Sequence, residues 1–308
     1  MTTTAADPFA EMIGQDKVKR KLNFYSRGNQ TRGFIPAILL NGAKGIGKTE
    51  FAKQFGKSLK KPFIELNCAS IKNEETFFEG LFMNHILDKE VTVLFDECHE
   101  LPVKLMTTLL TVFNPEGAAS KTLGWRDHNF EFNFRKQTYV FATTEEHKLF
   151  GPFKDRMNKV DFAAYDRQEL IDIIKKKADW VQFQGRALEF AGNSLRGNAR
   201  SAVARATEIM LYCDNESKHT FDLADWESLA STLDLHPYGL TITEVQVLEI
   251  LRERGSCTLQ MIAAATGMSR EAIQKAAEVH LLKEGLMKID VKREITDKGR
   301  DILKQIKA

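Results

Sequence analysis

The sequence predicts an α/β domain built on a parallel sheet, then a helical domain, then a small domain of three helices and a β-hairpin. Up to about residue 162, short apolar runs alternate with helical patterns, which is typical of a parallel sheet flanked by helices. Residues 164–232 show helical periodicity alone, and after residue 236 the pattern changes again. These changes predict domains at residues 1–162, 163–235 and 236–308.

Four strands are predicted in the first domain and two long helices in the second. Each strand is a short run of apolar, β-branched or aromatic residues, at 35–40, 62–66, 91–95 and 139–143. The helical pattern of the second domain is clearest over residues 168–181 and 199–212.

The third domain has the outline of a winged helix-turn-helix. Its three predicted helices cover residues 244–254, 258–266 and 270–283, and each follows a Ser or Thr near a capping position. In residues 286–290 and 292–295 apolar and polar residues alternate, as in the strands of a small hairpin. Three helices and a hairpin within about seventy residues indicate this fold.

The composition narrows the class of protein. The chain has 308 residues and a net charge of +2, so it has no overall field that would attract a polyanion. The four cysteines form no CxxC pair, and we expect neither a disulfide framework nor a zinc site. With no run of about eighteen apolar residues and no signal-peptide pattern, we expect a soluble, cytoplasmic protein without a membrane partner.

The strongest motif is Gly-Ala-Lys-Gly-Ile-Gly-Lys-Thr at residues 42–49, between the first predicted strand and a helical pattern. A phosphate-binding loop needs this strand–loop–helix context. Gly42, Gly45 and Gly47 let the backbone curl so that its N–H groups point at phosphates. Lys48 can reach the β- and γ-phosphates, and Thr49 can hold Mg²⁺. The loop therefore predicts binding of a nucleoside triphosphate with Mg²⁺.

A pair of acids follows the third predicted strand, at the sheet edge where ligands bind in open α/β sheets. Asp96 is placed to complete the Mg²⁺ shell, and Glu97 to orient or deprotonate the attacking water. Alternatively, the pair is a solvated cap on the strand. Because the phosphate-binding loop is also present, hydrolysis of the nucleoside triphosphate is the better hypothesis. His99 has no Cys or His at ligand spacing, and we expect it to support the pair or to lie at the surface.

Four further segments stand in order around these motifs. They are Ile-Gly-Gln-Asp-Lys-Val-Lys-Arg-Lys-Leu at 13–22, Phe-Asp-Glu-Cys-His-Glu-Leu at 95–101, Ala-Thr-Thr at 142–144 followed by Phe-Lys-Asp-Arg at 153–156, and Arg-Gly-Asn-Ala-Arg at 196–200. Their order resembles that of AAA+ ATPases, and their details resemble the RuvB family of Holliday-junction branch-migration motors. The resemblance covers nearly the whole chain. It implies an AAA+ P-loop core, a helical lid, a C-terminal winged helix-turn-helix and ATP hydrolysis.

The resemblance implies roles for residues that composition does not single out. Ile13 and Gly14 would line the adenine pocket, and Thr144 would act as sensor 1 near the γ-phosphate. Arg156 would be an arginine finger that reaches a neighbouring subunit's site, and Arg200 would contact the phosphates from the lid. The simpler alternatives are a plain strand residue for Thr144, a surface ion pair for Arg156 and a solvated helix charge for Arg200.

The resemblance also implies an assembly and partners. Members of this family would form a hexameric ring on the duplex arms of a four-way DNA junction, with a RuvA-type junction-recognising protein as partner. Residues 118–138 predict a projecting hairpin that would dock this partner through Trp125, Phe130 and Phe132. The alternative is that these aromatic side chains pack on their own domain. This segment departs from the family pattern, which leaves room for a different partner.

The C-terminal hairpin is the candidate DNA surface. Residues 283–308 hold eight Lys or Arg against five acids, and Lys292 and Arg293 fall at the predicted turn. Such an excess suits a few phosphate contacts without base readout. A winged helix that docks protein is the alternative. Two other function classes stay open: a clamp-loader-like subunit and an ATP-dependent DNA-binding adaptor, both without processive translocation.

Overall fold

The computed structural model describes residues 7–110, 120–125 and 128–307. The chain divides into two compact units, Met1–Tyr165 and Asp166–Ala308. This boundary lies close to the predicted end of the first domain. The further division at residues 235 and 236 stays a prediction.

The first unit is an α/β unit. Its strands are β1 (Ile38–Asn41), β2 (Phe63–Asn67), β3 (Thr92–Asp96), β4 (Ser120–Trp125), β5 (His128–Asn133), β6 (Thr138–Thr143) and β7 (Asn158–Asp161). Its helices are α1 (Asp16–Arg32), α2 (Lys48–Ser58), α3 (Val103–Leu109) and α4 (Gly151–Lys154), with a π-helix over Thr76–Ile86.

Five of these strands form one parallel sheet in the order β2-β3-β6-β1-β7, and β4 pairs with β5 in a separate hairpin. The predicted parallel sheet with flanking helices is confirmed. The first strand begins at Ile38 and not at residue 35, because Pro36 has no N–H to donate to a ladder. The edge strand β7 was not predicted: it is only four residues long, and Val160 is its one buried residue.

Aromatic packing fixes the sheet to its helices. On one side Phe95 of β3 stacks on Phe141 of β6, with ring centroids 4.8 Å apart, and Phe153 of α4 meets Phe141 edge-on at 5.3 Å. Elsewhere Phe51 of α2 stacks on Phe9 and meets Phe162 edge-on. All of these rings except Phe162 are fully buried. The helix that follows the phosphate-binding motif is thus held rigidly against the segments before α1 and after β7.

The second unit begins with helices α5 (Arg167–Lys177), α6 (Ala187–Asn193), α7 (Ala199–Asn215) and α8 (Leu223–Thr232). The expectation of helices alone was wrong here, since the two-residue strands β8 (Gln182–Phe183) and β9 (Thr220–Phe221) pair in parallel. A pair this short leaves no alternating pattern for sequence analysis to detect.

The winged helix-turn-helix follows in the same unit. Its elements are α9 (Ile242–Arg254), α10 (Leu259–Thr266), α11 (Arg270–Ile273), a π-helical turn (Gln274–Glu278), α12 (Val279–Lys283), β10 (Met287–Ile289), β11 (Arg293–Ile295) and α13 (Asp297–Lys307). Strands β10 and β11 form the predicted antiparallel hairpin. A core of Val247, Leu251, Ile262, Leu281 and Leu303 holds the helices together, and α13 was not predicted.

One ion pair of the second unit has a calculable pH dependence. Asp225, at the start of α8, accepts a hydrogen bond from Lys218 and one from the Asp222 N–H at 3.0 Å. Burial raises the pKa of Asp225, but the bonds from Lys218 and the backbone outweigh it, so the pKa lies below its usual 3.8. A lowered folded pKa adds stability above that value, and this stability is lost as the pH falls through the folded pKa.

We expect Asp225→Asn to reduce the free energy of unfolding by about 1 kcal/mol near neutral pH, because the charge-assisted bond to Lys218 is weakened. The difference from the unsubstituted chain should shrink as the pH falls below 3.8. Urea unfolding of the full chain at several pH values measures this, with the exposed Asp214→Asn as control. A difference independent of pH would contradict the assignment.

Candidate nucleotide site

The backbone at residues 42–49 adopts a form that only glycine allows at two positions. Gly47 has a φ of 99° immediately before α2 begins, in the left-handed region that favours glycine. A Cβ at Gly42 would lie 2.8 Å from the Cβ of Phe162, closer than side chains pack. The turn therefore fits tightly between α2 and the end of β7, and its N–H groups have room to curl around an anion.

The ammonium of Lys48 reaches back to the first two residues of this loop. It donates to the carbonyl oxygens of Gly42 at 2.8 Å and Ala43 at 3.1 Å, and the residue is 6% exposed. These two hydrogen bonds orient the ammonium within the loop. A buried cation next to a helix N-terminus favours a bound anion.

Thr49 and Asp96 lie side by side at the carboxyl ends of β1 and β3. The Thr49 hydroxyl donates to Oδ2 of Asp96 at 3.3 Å. A hydroxyl beside a carboxylate offers the hard oxygen ligands that Mg²⁺ prefers, and Mg²⁺ completes its shell with phosphate oxygens and water. The two residues therefore fit this ion. Within the described parts of the chain, no group of three or more His, Cys, Asp or Glu residues is placed to hold a metal ion.

Glu97 has a strained backbone, with a φ of 51°. Its N–H donates to Oδ1 of Asp96 at 3.0 Å, and its Oε2 accepts a hydrogen bond from the Thr144 hydroxyl at 3.2 Å. The Glu97 side chain is 33% exposed, so solvent reaches the carboxylate. The structure thus brings Thr144, predicted at the end of a different strand, into contact with Glu97 of the acidic pair.

The segment before α1 reaches the same edge of the sheet. Gln15 donates from Nε2 to the Ala163 carbonyl at 2.6 Å and accepts from the Ala163 N–H at 3.1 Å. These two bonds dock Ile13 and Gly14 beside the chain that leaves β7. Gln15 belongs to the segment at residues 13–22, but its contact with Ala163 was not predictable, because the two residues are 148 positions apart in the sequence.

Two thiols lie beneath the acidic pair. Cys68 and Cys98 are fully buried. Burial, and secondarily nearby negative charges including Asp96, raise the pKa of both thiols well above the usual value, so they remain neutral packing groups. All four cysteines are free.

Arg156 lies at the end of the sheet where β1 and β7 begin, whereas the loop lies at the end where β1 finishes. Arg156 precedes β7, whose first residue Asn158 pairs with Ile38 at the beginning of β1, whereas the loop follows the end of β1 at Asn41. Three residue rises along a strand separate these two levels by roughly 10 Å. The Arg156 guanidinium donates to the Pro152 carbonyl at 3.0 Å. The structure therefore does not bring Arg156 to the phosphate-binding loop of its own chain.

Arg200 belongs to the second unit. It occupies the first turn of α7, is exposed, and its N–H donates to Oδ1 of Asn198, which caps the helix, at 2.9 Å. The predicted contact with phosphates stays a prediction.

The hairpin of β4 and β5 has the predicted strands, with Trp125 opposite His128 and Leu123 opposite Phe130. The side chains of Trp125, Phe130 and Phe132 lie outside the described residues. Their docking role stays a prediction.

The C-terminal hairpin differs in detail from the prediction. Lys292 is exposed in the turn, as expected. Arg293 is the first residue of β11, and its guanidinium binds the Glu278 carboxylate through two hydrogen bonds of 2.6 and 3.3 Å. The Arg293 side chain is 16% exposed and that of Glu278 7%. A charge buried in this way must be paired, so Arg293 ties the hairpin to the π-helical turn and does not project from it.

Two family models match this chain. The model of the Holliday junction DNA helicase RuvB P-loop domain matches residues 6–161, and that of the RuvB C-terminal winged helix domain matches residues 237–304. The chain belongs to the RuvB family. The predicted family, fold class and enzyme class, a P-loop hydrolase of the helicase type, are therefore confirmed.

Relatives agree with the family models. The Holliday junction branch migration complex subunit RuvB of Latilactobacillus sakei subsp. sakei strain 23K is 27% identical over 289 residues, which cover 91% of this chain and 85% of that protein. The Thermotoga maritima RuvB Holliday junction branch migration motor has the same fold, with a TM-score of 0.70 at 22% identity over 96% of both chains. Mutant forms of that protein give TM-scores from 0.69 to 0.71.

Among the residues that the structure describes, no helix is long and apolar enough to cross a membrane.

The ion pair with Glu278 predicts that Arg293 stabilises the fold, whereas the solvated Lys292 does not. We expect Arg293→Ala to lower the free energy of unfolding by about 3 kcal/mol, because it leaves the Glu278 carboxylate buried without a partner. The neighbouring Lys292→Ala should change it by less than about 0.5 kcal/mol, since that side chain is solvated. Urea unfolding measures both, and equal midpoints for the two variants would refute the structural role.

Proposed function

We propose that this chain is an ATP-driven DNA motor that moves duplex DNA and migrates four-way junctions; the names of its relatives describe Holliday junction branch migration for those proteins. The observation that carries the proposal is the single cluster formed by Lys48, by Thr49 with Asp96, and by Glu97 with Thr144. It joins a phosphate-binding cation, a cation-binding pair and a solvent-accessible carboxylate at one edge of a RuvB-family core.

ATP binding follows from the loop. Backbone N–H groups between Gly42 and Thr49 cradle the phosphates, and the Lys48 ammonium turns from the carbonyls of Gly42 and Ala43 toward the β- and γ-phosphates. Ile13 and Gly14 lie against the adenine. Thr49 and Asp96 hold Mg²⁺, which neutralises charge on the phosphate oxygens when bound.

Hydrolysis requires a base and its support. Glu97 accepts a proton from the attacking water or orients it toward the γ-phosphate. Thr144 donates to Oε2 of Glu97 and fixes the direction of that carboxylate. This gives Thr144 a role through Glu97, in addition to the predicted proximity to the γ-phosphate.

The position of Arg156 supports a site that two subunits share. Because it lies at the far end of the sheet from its own loop, its guanidinium serves the γ-phosphate of a neighbouring subunit. A repeated head-to-tail interface closes into a ring when the rotation between subunits permits it, and we propose a hexameric ring. Arg200 contacts the same phosphates from the lid, so that the nucleotide state changes the lid position.

DNA contact is assigned to the winged helix, with Lys292 at the exposed turn of its hairpin. Arg293 supports this hairpin through Glu278. Contacts to phosphates hold the duplex in any sequence, as translocation requires. The hairpin with Trp125, Phe130 and Phe132 docks a RuvA-type junction-recognising protein.

The decisive experiment is ATP-dependent dissociation of a synthetic four-way junction. We expect the chain, alone or with a RuvA-type protein, to separate the junction only when ATP and Mg²⁺ are present. Glu97→Gln should bind ATP and DNA but lose at least about 100-fold in dissociation rate, because the base is gone. ATP-dependent DNA binding without dissociation, even with the RuvA-type protein, would refute the motor and favour an adaptor.

Mixing inactive subunits tests the shared site. Arg156→Ala should reduce ATP turnover by about 10³-fold or more, as expected for loss of an arginine finger. Mixed with Glu97→Gln subunits, it should regain activity, because about one interface in four of a random ring then has both groups intact. ATPase assays of each variant and of the mixture measure this. A mixture as inactive as its parts would mean that Arg156 acts within its own chain.

A further inference from the structure

The imidazole of His99 is a nearly buried polar side chain beside the acidic pair. It follows β3 in a short 3₁₀ turn (Cys98–Glu100), and its side chain is 6% exposed. Its Nδ1 lies 3.0 Å from the Thr143 hydroxyl and 3.5 Å from Oε2 of Glu97. Its Nε2 lies 3.1 Å from Oε2 of Glu145 and 3.4 Å from Oε1 of Glu100.

These contacts close a ring of hydrogen bonds. The Glu145 N–H donates to the Thr143 hydroxyl oxygen at 3.0 Å. When both nitrogens of the imidazole carry a proton, Nε2 donates to the Glu145 carboxylate, and the Nδ1–H faces the Thr143 hydroxyl oxygen and Oε2 of Glu97. With this assignment of protons each nitrogen of His99 is a donor that faces an oxygen, so the imidazole has a single orientation.

The imidazole of His99 also borders the carboxylate of Glu97. Its Oε2 receives the Thr144 hydroxyl at 3.2 Å, and the Nδ1 edge of His99 lies 3.5 Å from the same oxygen. The carboxylate is therefore confined between a residue that follows β6 and a residue that follows β3. Since the backbone of Glu97 is itself strained, with a φ of 51°, its side chain needs such support to keep one direction.

The burial of the His99 imidazole is not accounted for by packing alone, because a buried polar ring needs hydrogen-bond partners. An imidazole without hydrogen-bond partners is expensive to bury, and a leucine would fill the same space without that cost. His99 meets this cost with groups from two segments, its own turn after β3 and Thr143–Glu145 at the end of β6. The contact with Glu145 is reinforced by Lys148, whose hydrogen bond lowers the pKa of Glu145.

We infer that His99 is a positioning residue for ATP hydrolysis: it holds the Glu97 carboxylate in its working direction and couples it to Thr143–Glu145. This inference rests on the proposed function of Glu97. His99 itself touches no reacting atom. A shift of the segment after β6 would pass through the ring of hydrogen bonds to the carboxylate that acts on water.

The test is a set of three substitutions at His99, with kcat and KM for ATP measured in the full-length protein on DNA. His99→Ala should lower kcat by about 10- to 100-fold, since misplacing a catalytic group by about 1 Å has effects of that size. The KM and the affinity for a non-hydrolysable ATP analogue should stay within about 2-fold, because Lys48, Thr49 and the loop are untouched.

Two conservative variants separate the two edges of the ring. The amide of Asn occupies the place of Nδ1 and can bond the Thr143 hydroxyl, whereas that of Gln occupies the place of Nε2 and reaches Glu145. We expect His99→Asn to retain kcat within about 5-fold and His99→Gln to be as slow as the alanine variant. The exposed His147→Ala serves as the matched control and should leave both constants unchanged.

The outcomes distinguish this inference from the proposed function. If the unsubstituted chain hydrolyses ATP and His99→Ala keeps its kcat, the positioning role is wrong and the motor stands. If kcat and analogue affinity fall together in all three variants, His99 is merely structural, which also overturns the inference. Should the alanine variant fail to fold, equal kcat values for the Asn and Gln variants would overturn it. No hydrolysis by the unsubstituted chain, with or without DNA, would refute the proposed function itself.

Discussion

The parallel register of β3, β6 and β1 is the constraint on which the candidate site depends. Because Phe95 pairs with Phe141 and Asn41 with Thr143, the three strands end at one level of the sheet. The residues that follow are the loop, the acidic pair and Thr144. A slip of one residue in any of these strands would turn buried side chains to the other face and separate the loop from the acids. The stacked rings of Phe95 and Phe141 hold the register where it matters.

The sheet and the side-chain hydrogen bonds determine different features of the site. The strands determine where the chain leaves the core, and side-chain hydrogen bonds determine the direction in which the functional groups point. Glu97 is an example. Its left-handed backbone does not fix the direction of the carboxylate, which depends on contacts with Asp96, Thr144 and His99. A carboxylate that contacts several segments can respond when one of the segments moves, as the proposed motor function requires.

Elements whose determining interactions are local were predictable from the sequence. The loop was predictable because glycine spacing, a following helix and a buried strand lie within twenty residues or so of one another. Strands β3 and β6 were predictable because both faces are buried, giving continuous apolar runs. Contacts between residues that are distant in the sequence were not predictable. Gln15 pairs with Ala163 across 148 residues, and Arg293 pairs with Glu278 instead of projecting from the hairpin. The edge strand β7 was missed because one buried residue in four carries no pattern.

The edge strand is also the reason for proposing that two subunits share the site. It runs parallel to β1, so the segment that delivers Arg156 enters the sheet at the end where β1 begins. The phosphate-binding loop leaves at the end where β1 finishes. In the proposed ring, a second copy placed head to tail would supply Arg156 to this loop. The covalent order of loop, strand and arginine, together with parallel pairing, is the structural basis for proposing a shared site.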